Sequence, residues 1–97
     1  MNYKAQRIDA TVTVTVDGFG ESSPSAAVLT LTALPAAYRP ASSVFTTVVV
    51  DDNSTLSTGR VEIDASGVIT VGNDLAGAAF SGVGTMGTNP LTVSYVL

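Results

Sequence analysis

Apolar and polar residues alternate with a period of two along most of this chain, and no segment carries a helical period. Asp9 to Asp17 reads D-A-T-V-T-V-T-V-D, which places Val12, Val14 and Val16 on one face and Thr11, Thr13 and Thr15 on the other. That predicts a half-buried strand. Asp17-Gly18-Phe19-Gly20 and Ser22-Ser23-Pro24-Ser25 have turn chemistry, with glycines able to take positive φ and Pro24 stopping any extension. A second strand is predicted over about Ala26 to Ala33, with Leu29, Leu31 and Ala33 opposite Val28, Thr30 and Thr32. The third, Ser43 to Val50, is different, because Val48, Val49 and Val50 are contiguous and Phe45 adds a ring to the Thr47/Val49 face. A strand apolar on both faces wants cover on both. The subunit core supplies one cover and a neighbouring subunit the other, so Phe45, Val48, Val49 and Val50 are the candidate oligomer interface.

Asp51-Asp52-Asn53-Ser54-Thr55 reads as a polar loop tip. Arg60 to Asp64 and Val68 to Val71 form a predicted hairpin through Asp64-Ala65-Ser66-Gly67, with Gly67 in the left-handed region. Gly72-Asn73-Asp74 breaks the chain, and Leu75 to Gly87 is rich in small residues, with Phe80 and Met86 as its anchors. A weak strand around Ala78 to Val83 and irregular structure after it are expected. Leu91 to Leu97 closes the chain as a strand with Leu91, Val93, Tyr95 and Leu97 on one face. The expectation is an all-β antiparallel sandwich, jelly-roll-like, of six or seven short strands. It forms one domain over 1–97, with 1–8 as an amino-terminal arm.

Composition narrows the function. A chain of 97 residues buries only about 60–65% of the surface its unfolded form exposes. Cysteine and histidine are both absent. No disulfide staple, thiolate or histidine metal site, Ser-His-Asp triad or Cys-His pair can form. With 45% hydrophobic and only 12% charged residues, oligomerisation is the remaining common source of stability. A net charge of −4, with cations only at Lys4, Arg7, Arg39 and Arg60, argues against nucleic acid and anionic membranes. The polar opening Met1 to Arg7 shows no secretory signal. Glycines and Pro90 interrupt the uncharged run after Asp74, so no membrane-spanning helix is expected there.

One segment has unusual backbone chemistry. In Leu34-Pro35-Ala36-Ala37-Tyr38-Arg39-Pro40 both prolines fix φ and lack an N–H, and the residues before them are pushed toward extended geometry. This is a corner, neither a central strand nor a helix. Pro35, Tyr38, Arg39 and Pro40 are its structural residues: Tyr38 covers the end of the core with its hydroxyl wet, and Arg39 is tied to a carboxylate or a carbonyl.

That corner, followed by Gly59-Arg60-Val61-Glu62-Ile63-Asp64-Ala65-Ser66-Gly67-Val68-Ile69-Thr70-Val71, resembles the C-terminal head domains of tailed-bacteriophage tail-fibre and baseplate receptor-binding proteins. The likeness runs from about Val28 to Leu97, including the apolar-Ser-Tyr-apolar ending, and departs at Gly77 to Pro90, which is longer than expected before the last strand. The resemblance implies a β-sandwich head in a homotrimer at the virion's tail tip, extracellular on assembly. It also implies contact with other tail or baseplate proteins and with a host-surface saccharide.

Chemistry is otherwise sparse. Glu62 and Asp64 share a strand face as a glycosidase pair would, but alternation with Val61 and Ile63 marks an ordinary solvated face. Asp51, Asp52 and Asn53 offer oxygens without the spacing of a calcium loop. The expectation is therefore no catalysis, no metal and no cofactor. Candidate saccharide-contacting residues are Asp51, Asp52, Asn53, Asn73 and Asp74 as acceptors, with Tyr38 as a stacking plate. The alternative is a pilin-like fibre subunit that donates Thr11 to Val16 to a neighbour by strand addition, with no ligand.

Overall fold

The computed structural model describes residues 3–22, 29–81 and 85–97. Among these, nine strands and one 3-10 turn form: β1 (Tyr3–Ile8), β2 (Thr11–Val16), β3 (Phe19–Ser22), β4 (Leu29–Leu31), the turn Ala36–Tyr38, β5 (Val44–Asp52), β6 (Thr55–Ile63), β7 (Ile69–Gly72), β8 (Thr85–Thr88) and β9 (Leu91–Val96). They make two sheets, a three-stranded one in the order β1-β2-β9 and a six-stranded one in the order β3-β8-β5-β6-β7-β4. Every pairing is antiparallel. The all-β sandwich follows from the two-residue period as expected.

The core is the contact between the two sheets' inner faces. β2 contributes Val12, Val14 and Val16, each at most 1% exposed, and the larger sheet contributes Val50, Val61, Ile63, Ile69 and Val71. Each such side chain removed from water is worth roughly 1.5–3 kcal/mol. Leu34 and Phe80, carried on irregular segments, plug the same core. Phe80 thus anchors its small-residue stretch as its size suggested.

The two sheets are joined by a bent ribbon. β2 pairs with β9 down to Val16↔Leu91, and β3 pairs with β8 from Phe19↔Thr88, so the register is unbroken across Asp17-Gly18 and Asn89-Pro90. One two-stranded ladder therefore starts in the small sheet, turns a corner and ends in the large one, a device sandwiches use to close corners. Gly18 makes the bend possible. A Cβ there would sit 2.7 Å from the carbonyl oxygen of Thr88 and 2.7 Å from Cδ of Pro90.

Strand number and ends differ from expectation in five places. Tyr3–Ile8, read as an arm, is an edge strand whose partner β2 supplies the ladder. Phe19–Ser22, read as a turn, and Thr85–Thr88, read as irregular, are strands despite their glycines, because the ribbon's register carries pairing past the bend and β5 holds β8 from the other side. Strand propensity yields to such cross-strand context. No strand forms over 78–81, and Gly82 and Val83 of the expected weak strand lie outside the described residues, as do Ala26 to Val28 of the second. Asp51 and Asp52, placed in a loop, extend β5, and the tip contracts to Asn53-Ser54. Both tip residues have positive φ, 53° and 66°, the signature of a type I′ hairpin turn.

If the ribbon bend sets the angle between the sheets, Gly18→Ala should destabilise the fold by about 1–3 kcal/mol through overpacking against backbone. A urea midpoint equal to wild type would show that the bend accommodates a methyl group.

Candidate functional site

At one end of the molecule the β5–β6 tip meets the segment after β7. The Asp52 carboxylate accepts hydrogen bonds from Nδ2 of Asn73 (2.9 Å), from the backbone N–H of Ser81 (2.9 Å) and from its hydroxyl (2.8 Å). Asn73 is further held by its own N–H to the carbonyl of Ala78 and by Ser57, whose hydroxyl donates to its carbonyl. The structure thus brings together Asp52 and Asn73, as the sequence suggested, but the carboxylate is occupied as a latch between strand and loop.

Asp74 is spent in a different way. Its Oδ1 accepts from the N–H groups of Ala76 and Ala78, and the N–H of Gly77 closes onto its carbonyl. Asp64 does the same ten residues earlier, with Oδ1 accepting from Ser66 and Val68 and the N–H of Gly67 donating to its carbonyl. Asp64-Ala65-Ser66-Gly67-Val68 and Asp74-Leu75-Ala76-Gly77-Ala78 are one D-x-x-G-x turn used twice, with φ of +83° at Gly67 and +78° at Gly77. This repeat is the signal that would have marked Asp74 as a turn residue. It likewise removes Asp64 from any carboxylate pair with Glu62.

Tyr38 does not join this cluster. The corner lies at the opposite end of β5, which runs nine residues from Val44 to Asp52, roughly 26 Å of extended chain. Between the prolines the backbone makes one 3-10 turn, a tighter element than the extended corner expected, closed by Tyr38 N–H to the carbonyl of Pro35. Arg39 finds a carbonyl: its Nε donates to Leu34 O at 2.8 Å. Its side chain lies across Gly67, where a Cβ would come within 2.9 Å of Cγ of Arg39, and the N–H of Leu34 donates to Gly67 O at 2.9 Å. Corner and hairpin turn are therefore one packed unit. Tyr38 packs half-buried against the core, and its carbonyl accepts the hydroxyl of the buried Tyr95.

The expected interface strand divides by face. Val48 and Val50 point inward, 7% and 1% exposed, and are consumed by the subunit's own core. They cannot serve an interface. Phe45 and Val49 point outward at 55% and 43%. Phe45 carries the guanidinium of Arg60 5.1 Å from its ring centroid, a cation–π contact. Val49 is the floor of an open groove of about 440 Å³ lined by Thr47, Thr58, Asn89 and Thr92 among others. A second hollow of about 200 Å³ adjoins it through Val49 and Asn89 and reaches Asp51 and Leu56. Sequence reasoning missed this groove because Asn89 and Thr92 come to β5 only through the ribbon.

No group of three or more acidic, histidine or cysteine residues able to hold a metal occurs among the described residues. No helix is long and apolar enough to cross a membrane among them. No protein-family model matches the chain, and no curated protein matches its sequence.

Two measurements probe these assignments. Asp52→Ala leaves donors of Asn73 and Ser81 without their carboxylate and should cost about 2–4 kcal/mol by urea denaturation, against about 1 kcal/mol for a solvated tip residue such as Asn53→Ala. Burial raises the pKa of Tyr95 above its ordinary 10.0. The folded state then holds this proton more tightly than the unfolded one, so its contribution is intact below pH 10 and is lost as pH rises through the folded value. Wild type should lose stability above pH 10 more steeply than Tyr95→Phe; equal slopes would remove Tyr95 as the cause.

Proposed function

We propose that this chain is a non-catalytic head domain of a phage tail fibre or baseplate, trimeric, displayed at the tail tip and attaching the virion to a host-surface saccharide. The observation that supports the reading best is the packing of the corner on the hairpin turn. The two separated segments that carry the resemblance, Leu34 to Pro40 and Gly59 to Val71, meet through Leu34, Arg39 and Gly67 as a single unit. The spacing between them thus has a physical reason. The two-sheet antiparallel sandwich agrees with the same reading.

Assembly draws on a surface other than the one β5 suggested. Ile8, Thr11 and Val96 stand in one cross-strand row on the outside of the small sheet. Ile8 is 64% and Val96 74% exposed, and Leu97 joins them through its N–H to Ala10 O. Among the described residues this apolar group at the corner end has little cover from its own subunit, and around a three-fold axis it would meet its equivalents. Val49, ringed by hydroxyls, suits an interface core less well.

The pilin-like alternative has less support. Thr11–Val16, its candidate donor, is paired on one edge by β1 and on the other by β9, so its backbone groups are already used.

Light scattering of the purified chain should give the mass of a trimer, and Val96→Asp should shift it to monomer while leaving the circular dichroism spectrum unchanged. A wild-type monomer at micromolar concentration would overturn the assembly claim. Binding of the purified chain to host cells tests attachment, and absence of binding to cells of any candidate host would leave a scaffolding role in the tail.

A further inference from the structure

We infer that the groove across the outer face of β5 and β6, floored by Val49 and walled by Thr47, Thr58, Asn89 and Thr92, is the binding site for a short neutral saccharide, with Asp51 at its far end. This deepens the attachment reading and rests on it. It moves the contact from the loop tip, where the sequence placed it, to a strand face.

The tip is the poorer site because its carboxylates Asp52 and Asp74 are spent, although Oδ1 of Asn73, like Oδ1 of Asp51, is buried without a hydrogen-bond partner. Asp52 holds Asn73 and Ser81, and Asp74 caps its own turn. The groove is the reverse. Thr47, Thr58 and Thr92 are exposed, and their hydroxyls, with the Asn89 amide, make no side-chain hydrogen bond to other described residues. At the end of the adjoining hollow Oδ1 of Asp51 is buried without a hydrogen-bond partner. A buried acceptor left without a donor costs free energy that a partner's hydroxyl recovers. The main hollow, about 440 Å³, falls in the range of about 300–1,000 Å³ typical of small-ligand sites.

The lining selects the ligand class. Hydroxyls and an amide both donate and accept, as sugar hydroxyls do, while Val49 and Pro90 offer apolar surface to the C–H face of a ring. Asp51 is the one charged residue among the lining residues, and no cation accompanies it. With a net charge of −4, anionic polymers are repelled. A peptide adding as a strand would use the edge of β5 that β8 covers only at Val50 to Asp52; the hydroxyl-rich lining suits a saccharide better. With no aromatic plate in the lining, each site binds through hydrogen bonds and is weak. Three copies on a trimer would restore strength through avidity.

The test titrates the purified full chain with two probe sets, neutral oligosaccharides (glucose-, galactose- and rhamnose-based) and acidic ones (polygalacturonate and a teichoic-acid polymer), following backbone amide shifts by NMR. Whole-cell binding is run in parallel. Neutral oligosaccharides should shift Val49, Thr58, Asn89 and Thr92. Thr58→Arg and Asn89→Ala, both exposed positions, should each weaken binding by about tenfold or more with an unchanged Tm, and Asn53→Ala should leave it unaltered. Cell binding that persists in Thr58→Arg and Asn89→Ala would overturn the groove and leave attachment standing. Preference for the acidic probes would overturn the ligand class. No binding to cells or to any probe would overturn the attachment reading and the groove with it.

Discussion

The fold depends on one backbone constraint, the unbroken ladder that turns at Gly18 and Pro90. Two sheets of three and six strands could pack in many ways, but here β2–β3 and β9–β8 belong to both, so their relative position is set by covalent geometry as well as by side chains. The bend brings Val12, Val14 and Val16 into one core with Val50, Val61 and Val71, and their burial in turn holds the bend closed. Each helps the other to form. Pro90 suits the place because it demands no ladder hydrogen bond where the ribbon must change direction.

Away from the core, the scarce charged groups serve the backbone. Asp64 and Asp74 each cap a D-x-x-G-x turn, Asp52 latches the loop that carries Phe80, and Arg39 binds a carbonyl across Gly67. A domain this small, without cysteines, has little core to spare, and these charge-assisted hydrogen bonds fix the irregular segments that its strands leave over. The consequence for function is direct. Asp52 and Asp74, which look like free acceptors in the sequence, are occupied in the fold, and a row of exposed hydroxyls lies on a strand face instead.

This explains which parts of the molecule the sequence disclosed. β2, the β6–β7 hairpin and the final strand were legible because each has a local two-residue period or a glycine turn that needs no distant partner. The corner was legible because proline restricts its own backbone. β1, β3 and β8 were not, since Tyr3–Ile8 alternates only weakly and the other two contain glycines; each becomes a strand by pairing with a segment far away in the chain. The site divides along the same line. The Asp52–Asn73 contact could be guessed from two polar breaks, whereas the groove joins Thr47 and Thr58 to Asn89 and Thr92 through the ribbon, which no local pattern encodes.

The ribbon also connects stability to the proposed binding groove. Asn89 donates its N–H to Val49 O at 3.0 Å, so the bend is bonded to the floor of the groove. One wall of the groove, Asn89 to Thr92, belongs to the bend and the start of β9, and the other stands on β5 and β6 at the middle of the large sheet. Both walls are tied to paired strands. A weak, hydrogen-bonded ligand gains most from such a surface, because little conformational entropy has to be lost when it binds. The glycine that lets the ribbon turn therefore shapes a broad surface where unspent hydroxyls gather, and the fold's tightest constraint and its best candidate site have a common origin.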